Sequence, residues 1–280
     1  MTNEAKSQQT PHQSARQDMD DGQWGLSYRL NPGQTHYHEL SHTQVWVSLL
    51  EREWHVRYQR VDEDDSQVRW LQGISDEMPG GDIPEQRFVR PDSGGQVTYV
   101  PVMSRLAMVI RPYKPLMIAA NSECTIYVGT LLWMRIQVGD KGTRLVELPL
   151  ADPMMTWVGR NTMEGELCYS AATYARLVLD AVPKRPWRAI TPVTIVNEQH
   201  EPLLLERFSL PTPLLSLHRN EQGQLWTPGV TVHCESGMNS ARLRVASGTI
   251  AAAGKCTLVS QAREQHARGG LVRAYDRVFG

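Results

Sequence analysis

The feature that most constrains this chain is a period of two that returns in one short apolar run after another. In EREWHVRYQRV, Trp54, Val56 and Tyr58 fall on one face, with His55, Arg57 and Gln59 on the other. Side chains alternate across a strand, so this pattern marks a half-buried antiparallel strand. Cys124, Ile126 and Val128 alternate in the same way with Thr125 and Tyr127, and Leu132, Met134, Ile136 and Val138 with Trp133, Arg135 and Gln137. From Thr98 the runs TYVPVM, LAMVIRP, PLMIAA, ECTIYVG and LLWMRIQV follow one another closely, punctuated by Gly and Pro. That spacing predicts a sandwich or barrel. The expected fold class is all-β, mainly antiparallel, with one or two β-sandwich-like units and a short C-terminal helical tail.

Residues 1–23 are rich in Gln, Ser, Asp and Thr without apolar periodicity, which predicts a disordered segment. A β-rich unit is expected over 24–112, opening with WGLSYRL and the Asn31-Pro32-Gly33 turn. The acidic run Asp62 to Asp65 reads as a solvated hairpin tip, and the passage from Gly73 to Gly95 as a Gly/Pro/Asp-rich connection. A second, sandwich-like unit is expected over 113–259, with Gly139-Asp140-Lys141-Gly142 as a turn and the recurrent prolines at strand starts, edges and bends. GELCYSAATYARLVLD carries both helical and alternating spacing; its strand neighbours favour a long strand. SQAREQHAR and LVRAYDRVFG predict a basic helical tail over 260–280.

Charge narrows the function classes. Thirty acids against 29 Lys plus Arg leave a net charge of −1, without the basic excess that a general nucleic-acid binder needs. No run approaches the ~18 apolar residues of a membrane span, and the polar start MTNEAKSQQT has no apolar h-region. The four cysteines are widely spaced with no Cys-x-x-Cys pair. These features predict a cytoplasmic protein with reduced thiols. The C-terminal stretch from Arg242 has seven basic residues against Glu264 and Asp276, an excess suited to an acidic partner or anionic surface but more simply read as a solvated helix.

Candidate chemistry is sparse. His36, His38 and His42 form the one cluster with metal-ligand residue types, and His36 and His38 would share a face on a strand. Set against that metal site is the expectation of exposed histidines on a loop. Cys168 lacks a cationic neighbour and reads as a buried structural thiol. Glu164 and Glu166 flank Gly165 and could couple as a carboxylate pair, with a solvated turn as the simpler reading. The eight tryptophans are scattered over many elements and read as core. No Gly-rich phosphate loop, nucleophile elbow or His-Glu-x-x-His occurs, so no cofactor is expected. In LVELPLADPMMTWVGRNTMEGELCYSAATYARL, Asp152-Pro153 starts a turn, and Trp157 beside Gly159 predicts a buried corner anchor.

Trp24-Gly25, Leu148-Pro149, Thr156-Trp157 with Gly159, Gly165 to Tyr169 and Pro192 to Asn197 together resemble DUF432, a family of prokaryotic proteins of unknown function. The corner departs from the family pattern, because Val158 replaces an aromatic and Met154-Met155 precede it. The resemblance draws attention to Trp157, Gly159, Glu166, Cys168, Tyr169 and Asn197 as structural or interaction positions. Genes of this family lie beside those of small-conductance mechanosensitive channels, which implies such a channel as a protein partner and implies no chemistry. The expected function is that of a non-catalytic interaction or accessory protein. The competing expectation is a metal-dependent enzyme or ligand-binding sandwich built on the histidine cluster.

Overall fold

A computed structural model describes residues 20–61, 68–75, 82–159, 163, 165–171, 173–235, 241–248, 250–265 and 271–273. The fold is all-β, and among the described residues the helical turns are three short 3-10 segments, Leu179–Ala181, Thr212–Leu214 and Ala251–Ala253. The chain divides into two compact units. The first takes the chain to Thr98 together with Gln137–Leu145, and the second takes Tyr99–Ile136 and the chain from Val146.

The strands of the first unit are β1 (Asp20–Asp21), β2 (Ser27–Arg29), β3 (Thr35–Leu40), β4 (Thr43–Leu49), β5 (Glu53–Arg60), β6 (Trp70–Ser75) and β7 (Glu85–Val89), with the start of β8 (Gln96–Val102). Six of them form an antiparallel sheet in the order β1-β6-β3-β4-β5-β7, and β2 pairs with the start of β8. The period-two reading of β5 holds: Trp54 and Val56 are buried, and His55 and Arg57 lie on the partly exposed face. In the turn after β8's partner segment, Gly139 and Gly142 have φ of 73° and 63°, a region that glycine enters without a Cβ penalty.

The chain continues with β9 (Met108–Ile110), β10 (Leu116–Ile118), β11 (Ser122–Leu131), β12 (Trp133–Val138), β13 (Thr143–Pro149), β14 (Met154–Gly159), β15 (Gly165–Ser170), β16 (Tyr174–Arg176) and β17 (Arg188–Asn197), all in the second unit except the adjoining ends of β12 and β13 within Gln137–Leu145. Then come β18 (Leu203–Leu205), β19 (Phe208–Leu210), β20 (Leu217–Asn220), β21 (Leu225–Trp226), β22 (Val230–Cys234), β23 (Ala241–Val245), β24 (Cys256–Ser260) and β25 (Leu271–Arg273). Strand β17 organises this unit. All ten of its residues pair antiparallel with β11, while its other edge pairs in parallel with β21 and then β22. Ile126, Val128, Val193, Ile195 and Val232 are buried along this seam. A four-stranded sheet in the order β14-β15-β9-β19 belongs to the same unit.

Several expectations are corrected. Residues 1–19, the acidic run 62–65 and Glu164 lie outside the described residues, but Asp20–Asp21 within the predicted disordered segment pairs with β6. Strand β7 occupies part of the passage read as a connection. The expected long strand after Gly165 is two short ones, β15 and β16. Pro192 sits inside β17 rather than at its end. Its missing N–H falls between Ile190, paired with β21, and Val193, where the ladder to β22 begins. No helix forms in the described part of the tail. The amides of Arg263 and Glu264 donate to the Pro213 carbonyl, and Leu271–Arg273 pairs with β23. Strand and loop backbone partners thus satisfy groups that a helix would have satisfied internally.

Candidate functional site

Register decides what the hairpin of β14 and β15 shows to solvent. Thr156 pairs with Cys168 and Trp157 with Leu167, so the two strands present Met155, Trp157, Leu167 and Tyr169 on one face and Thr156, Cys168 and Ser170 on the other. Cys168 and Ser170 are buried, which commits the opposite face to solvent. Met154 is 74% exposed, Met155 66%, Trp157 47% and Leu167 43%, with Met163 exposed at the hairpin's far end. The expectation that Trp157 is a buried anchor is therefore overturned. Its indole lies across Gly165: a Cβ there would stand 2.7 Å from the ring nitrogen and 2.5 Å from the Val158 carbonyl oxygen. Glycine at that position lets a large ring lie flat against the backbone, held in place yet open on its outer side. At the base of the same face, Tyr169 packs on Trp133 with ring centroids 5.1 Å apart. Strand β14 ends its sheet order, so its outer edge has no partner strand among the described residues.

The other positions marked by sequence do structural work elsewhere. Burial pushes the Cys168 thiol up to about 12, with the nearby Glu166 carboxylate adding to the shift, so the sulfur stays protonated and is no nucleophile at neutral pH. Glu166 accepts a 3.3 Å hydrogen bond from the Ser209 hydroxyl. Gly159 pairs with Gly165 at the end of the ladder. Asn197 is buried and distant in sequence from the hairpin; its amide donates to the carbonyls of Ile118, Ala119 and Glu201 at 2.9–3.1 Å. Its own carbonyl accepts from the Gln199 amide, so it ties the end of β17 to two turns.

His36 and His38 belong to a strand, not to an exposed loop, and His42 to the turn that follows it. His36 and His38 are fully buried on one face of β3, where the rings of Trp24 and Tyr28 lie against them. The Tyr28 ring packs 4.1 Å from His36, and His38 Nε2 accepts a 3.2 Å hydrogen bond from Trp70. Burial holds the His36 imidazole down at about 3 and His38 well below its ordinary range, so both rings are neutral at pH 7. His42 lies beyond the end of β3, with Nδ1 3.3 Å from the Val61 carbonyl. Among the described residues, no group of three or more His, Cys, Asp or Glu is placed to hold a metal ion.

A family model for DUF432, described as a protein of unknown function, matches residues 24–279. The chain belongs to the DUF432 family. No curated protein and no solved structure matches it. The family positions thus split into two groups. Trp157, Gly159 and Gly165 build the exposed hairpin, while Cys168 is buried beneath it and Asn197 ties the end of β17 to two turns.

Sequence reasoning missed one charged centre. The nearly buried Glu147 carboxylate meets Arg135 at 2.8 Å, Arg263 at 3.0 Å and Arg105 at 3.1 Å. Burial alone would push this carboxyl up. Hydrogen bonds from Arg263 and Arg135, with the guanidinium charges, outweigh burial and hold it at about 2. Arg263 also donates to the Met103 carbonyl at 2.7 Å. The four residues are far apart in sequence, so no local motif could have announced them. The hairpin did carry a signal: Met154-Met155 places apolar side chains on both faces, a break in alternation that a half-buried strand does not tolerate.

Proposed function

We propose that this protein is a non-catalytic interaction protein, and that the β14–β15 hairpin is its docking element. One observation carries this reading: an ordered strand pair exposes Met155, Trp157 and Leu167 together on one face, with Met154 exposed at the strand's start. Contiguous apolar groups at a surface mark binding sites, and tryptophan is favoured where binding energy concentrates. Methionine side chains adapt to an irregular partner surface. The protonated Cys168 thiol argues against thiol chemistry at this place.

The partner we propose is a small-conductance mechanosensitive channel of the same cell, on the strength of the family's gene neighbourhood. The test is co-expression of the full chain with that channel, followed by purification through a tag on the channel in detergent. The parent chain should be retained, and the variant Met155→Ser with Trp157→Ala should be lost while melting as the parent does. Retention of that variant at the parental level would remove the hairpin from the interface. Failure of the parent to be retained would remove the channel.

A further inference from the structure

A second surface of the same unit differs from the hairpin in combining apolar tips with positive charge. The loop between β9 and β10 reads RPYKPLMI from Arg111, and the segment through and beyond β16 reads TYARLVLDA from Thr173. The two are stitched together. The Arg111 amide donates to the Thr173 hydroxyl at 3.4 Å, and that hydroxyl lies 3.3 Å from the Arg111 carbonyl. The Arg111 guanidinium donates to the Ser170 hydroxyl at 3.2 Å, and the Arg176 guanidinium lies 5.5 Å from the centre of the Tyr113 ring. At the tips stand Tyr113, 80% exposed, with Leu177 and Val178 at 55% and 62%. Arg111, Lys114 and Arg176 accompany them, and Asp180 is the one acid in the two stretches.

We infer that this surface binds the headgroup layer of an anionic membrane. Aliphatic tips gain by leaving water for the acyl boundary, a tyrosine ring suits the headgroup level, and lysine and arginine beside them are attracted to lipid phosphates. Charge complementarity selects this occupant. A neutral protein surface would leave three cations unused, and a nucleic-acid backbone would leave Leu177 and Val178 without an apolar partner. Pro112 and Pro115 bracket Tyr113 and Lys114, restricting the free loop so that little chain entropy remains to be lost on binding. The inference needs none of the exposed hairpin side chains and stands or falls apart from the channel reading.

Flotation of the full chain with vesicles tests it, using phosphatidylcholine alone and phosphatidylcholine mixed with phosphatidylglycerol at low and physiological salt. Binding should require phosphatidylglycerol and weaken as salt rises. Lys114→Glu should cut binding by about fivefold or more, the share of one basic residue near an anionic surface. The pair Tyr113→Ser with Leu177→Ser should remove it without changing the melting temperature, since both side chains are exposed. Lys255→Glu, the same charge change at another exposed lysine, should leave binding intact. Equal binding to pure phosphatidylcholine, no binding to either vesicle, or parental binding by both the Lys114 and the Tyr113/Leu177 variants would overturn the inference. So would a loss in Lys255→Glu as large as in Lys114→Glu.

Discussion

Strands β3 and β14 invert what their compositions suggest. β3 reads THYHEL, rich in polar and ionisable groups, yet all six residues are buried. β14 reads MMTWVG, mostly apolar, yet Met154, Met155 and Trp157 are exposed. Sheet position accounts for the difference. β3 has a strand on each side and is covered on both faces: Tyr37 packs on Trp46 and hydrogen-bonds Glu39 on one, and His36 and His38 meet Tyr28 and Trp70 on the other. β14 ends its sheet, and its partner β15 turns Cys168 inward. A buried polar group is tolerated when it is satisfied, and an exposed apolar group costs little where nothing is available to cover it.

The contrast can be broken most directly at Glu39, a buried carboxylate that accepts from Tyr37 and lies 3.4 Å from the Arg69 guanidinium. Glu39→Ala should cost about 3 kcal/mol in chemical denaturation, the upper end for leaving a buried partner, here the Tyr37 hydroxyl, unsatisfied. A loss under ~1 kcal/mol would mean that water reaches β3.

Next in size is the Glu147 centre. Its folded carboxyl is depressed from 4.5 to about 2, so its contribution is complete above the unfolded value and disappears as pH falls from 4.5 through 2. That shift corresponds to up to about 3 kcal/mol. Glu147→Gln should lower stability at neutral pH and flatten the dependence in that window. An unchanged acid limb would place the arginines too far into water to matter.

The histidines of β3 act at higher pH. Burial depresses His36 from 6.5 to about 3, so the unfolded state binds the extra proton as pH falls through that interval. Stability is complete above pH 6.5 and declines toward pH 3, by at most about 1.4 kcal/mol per pH unit for each such imidazole. His36→Phe should remove one share of that slope, and in the parent the His36 ring resonances should stay those of a neutral imidazole well below pH 6.5. A His36 ring that titrates near pH 6.5 would show that the pocket is open.

The smallest stability effect belongs to β14. Trp157→Ala should change the melting free energy by no more than about 1 kcal/mol, far below the ~3–5 kcal/mol of a buried tryptophan, because nearly half of the ring already faces solvent. Gly165→Ala should cost more than Trp157→Ala, since its methyl would meet the Val158 carbonyl as well as the indole. The reverse order would return Trp157 to the role of a core anchor.

Much of the architecture was legible from residue order alone. Alternation at Trp54/Val56 and along Leu132 to Val138 marks the buried face of β5 and β12, because side-chain direction on a strand follows from backbone geometry without reference to other strands. The Gly139 to Gly142 turn is local for the same reason. Helical spacing in the tail was a poorer guide, since Arg263 is drawn to Glu147 and Met103, partners more than a hundred residues away. Whether β3 is central or β14 terminal depends on pairings between segments distant in the chain, and those pairings settle which residues see water. The same dependence turned His36 and His38 from a surface loop into a covered strand and the tryptophan from an anchor into an exposed platform. Strand identity is written residue by residue, but burial belongs to neighbours that only the folded sheet supplies.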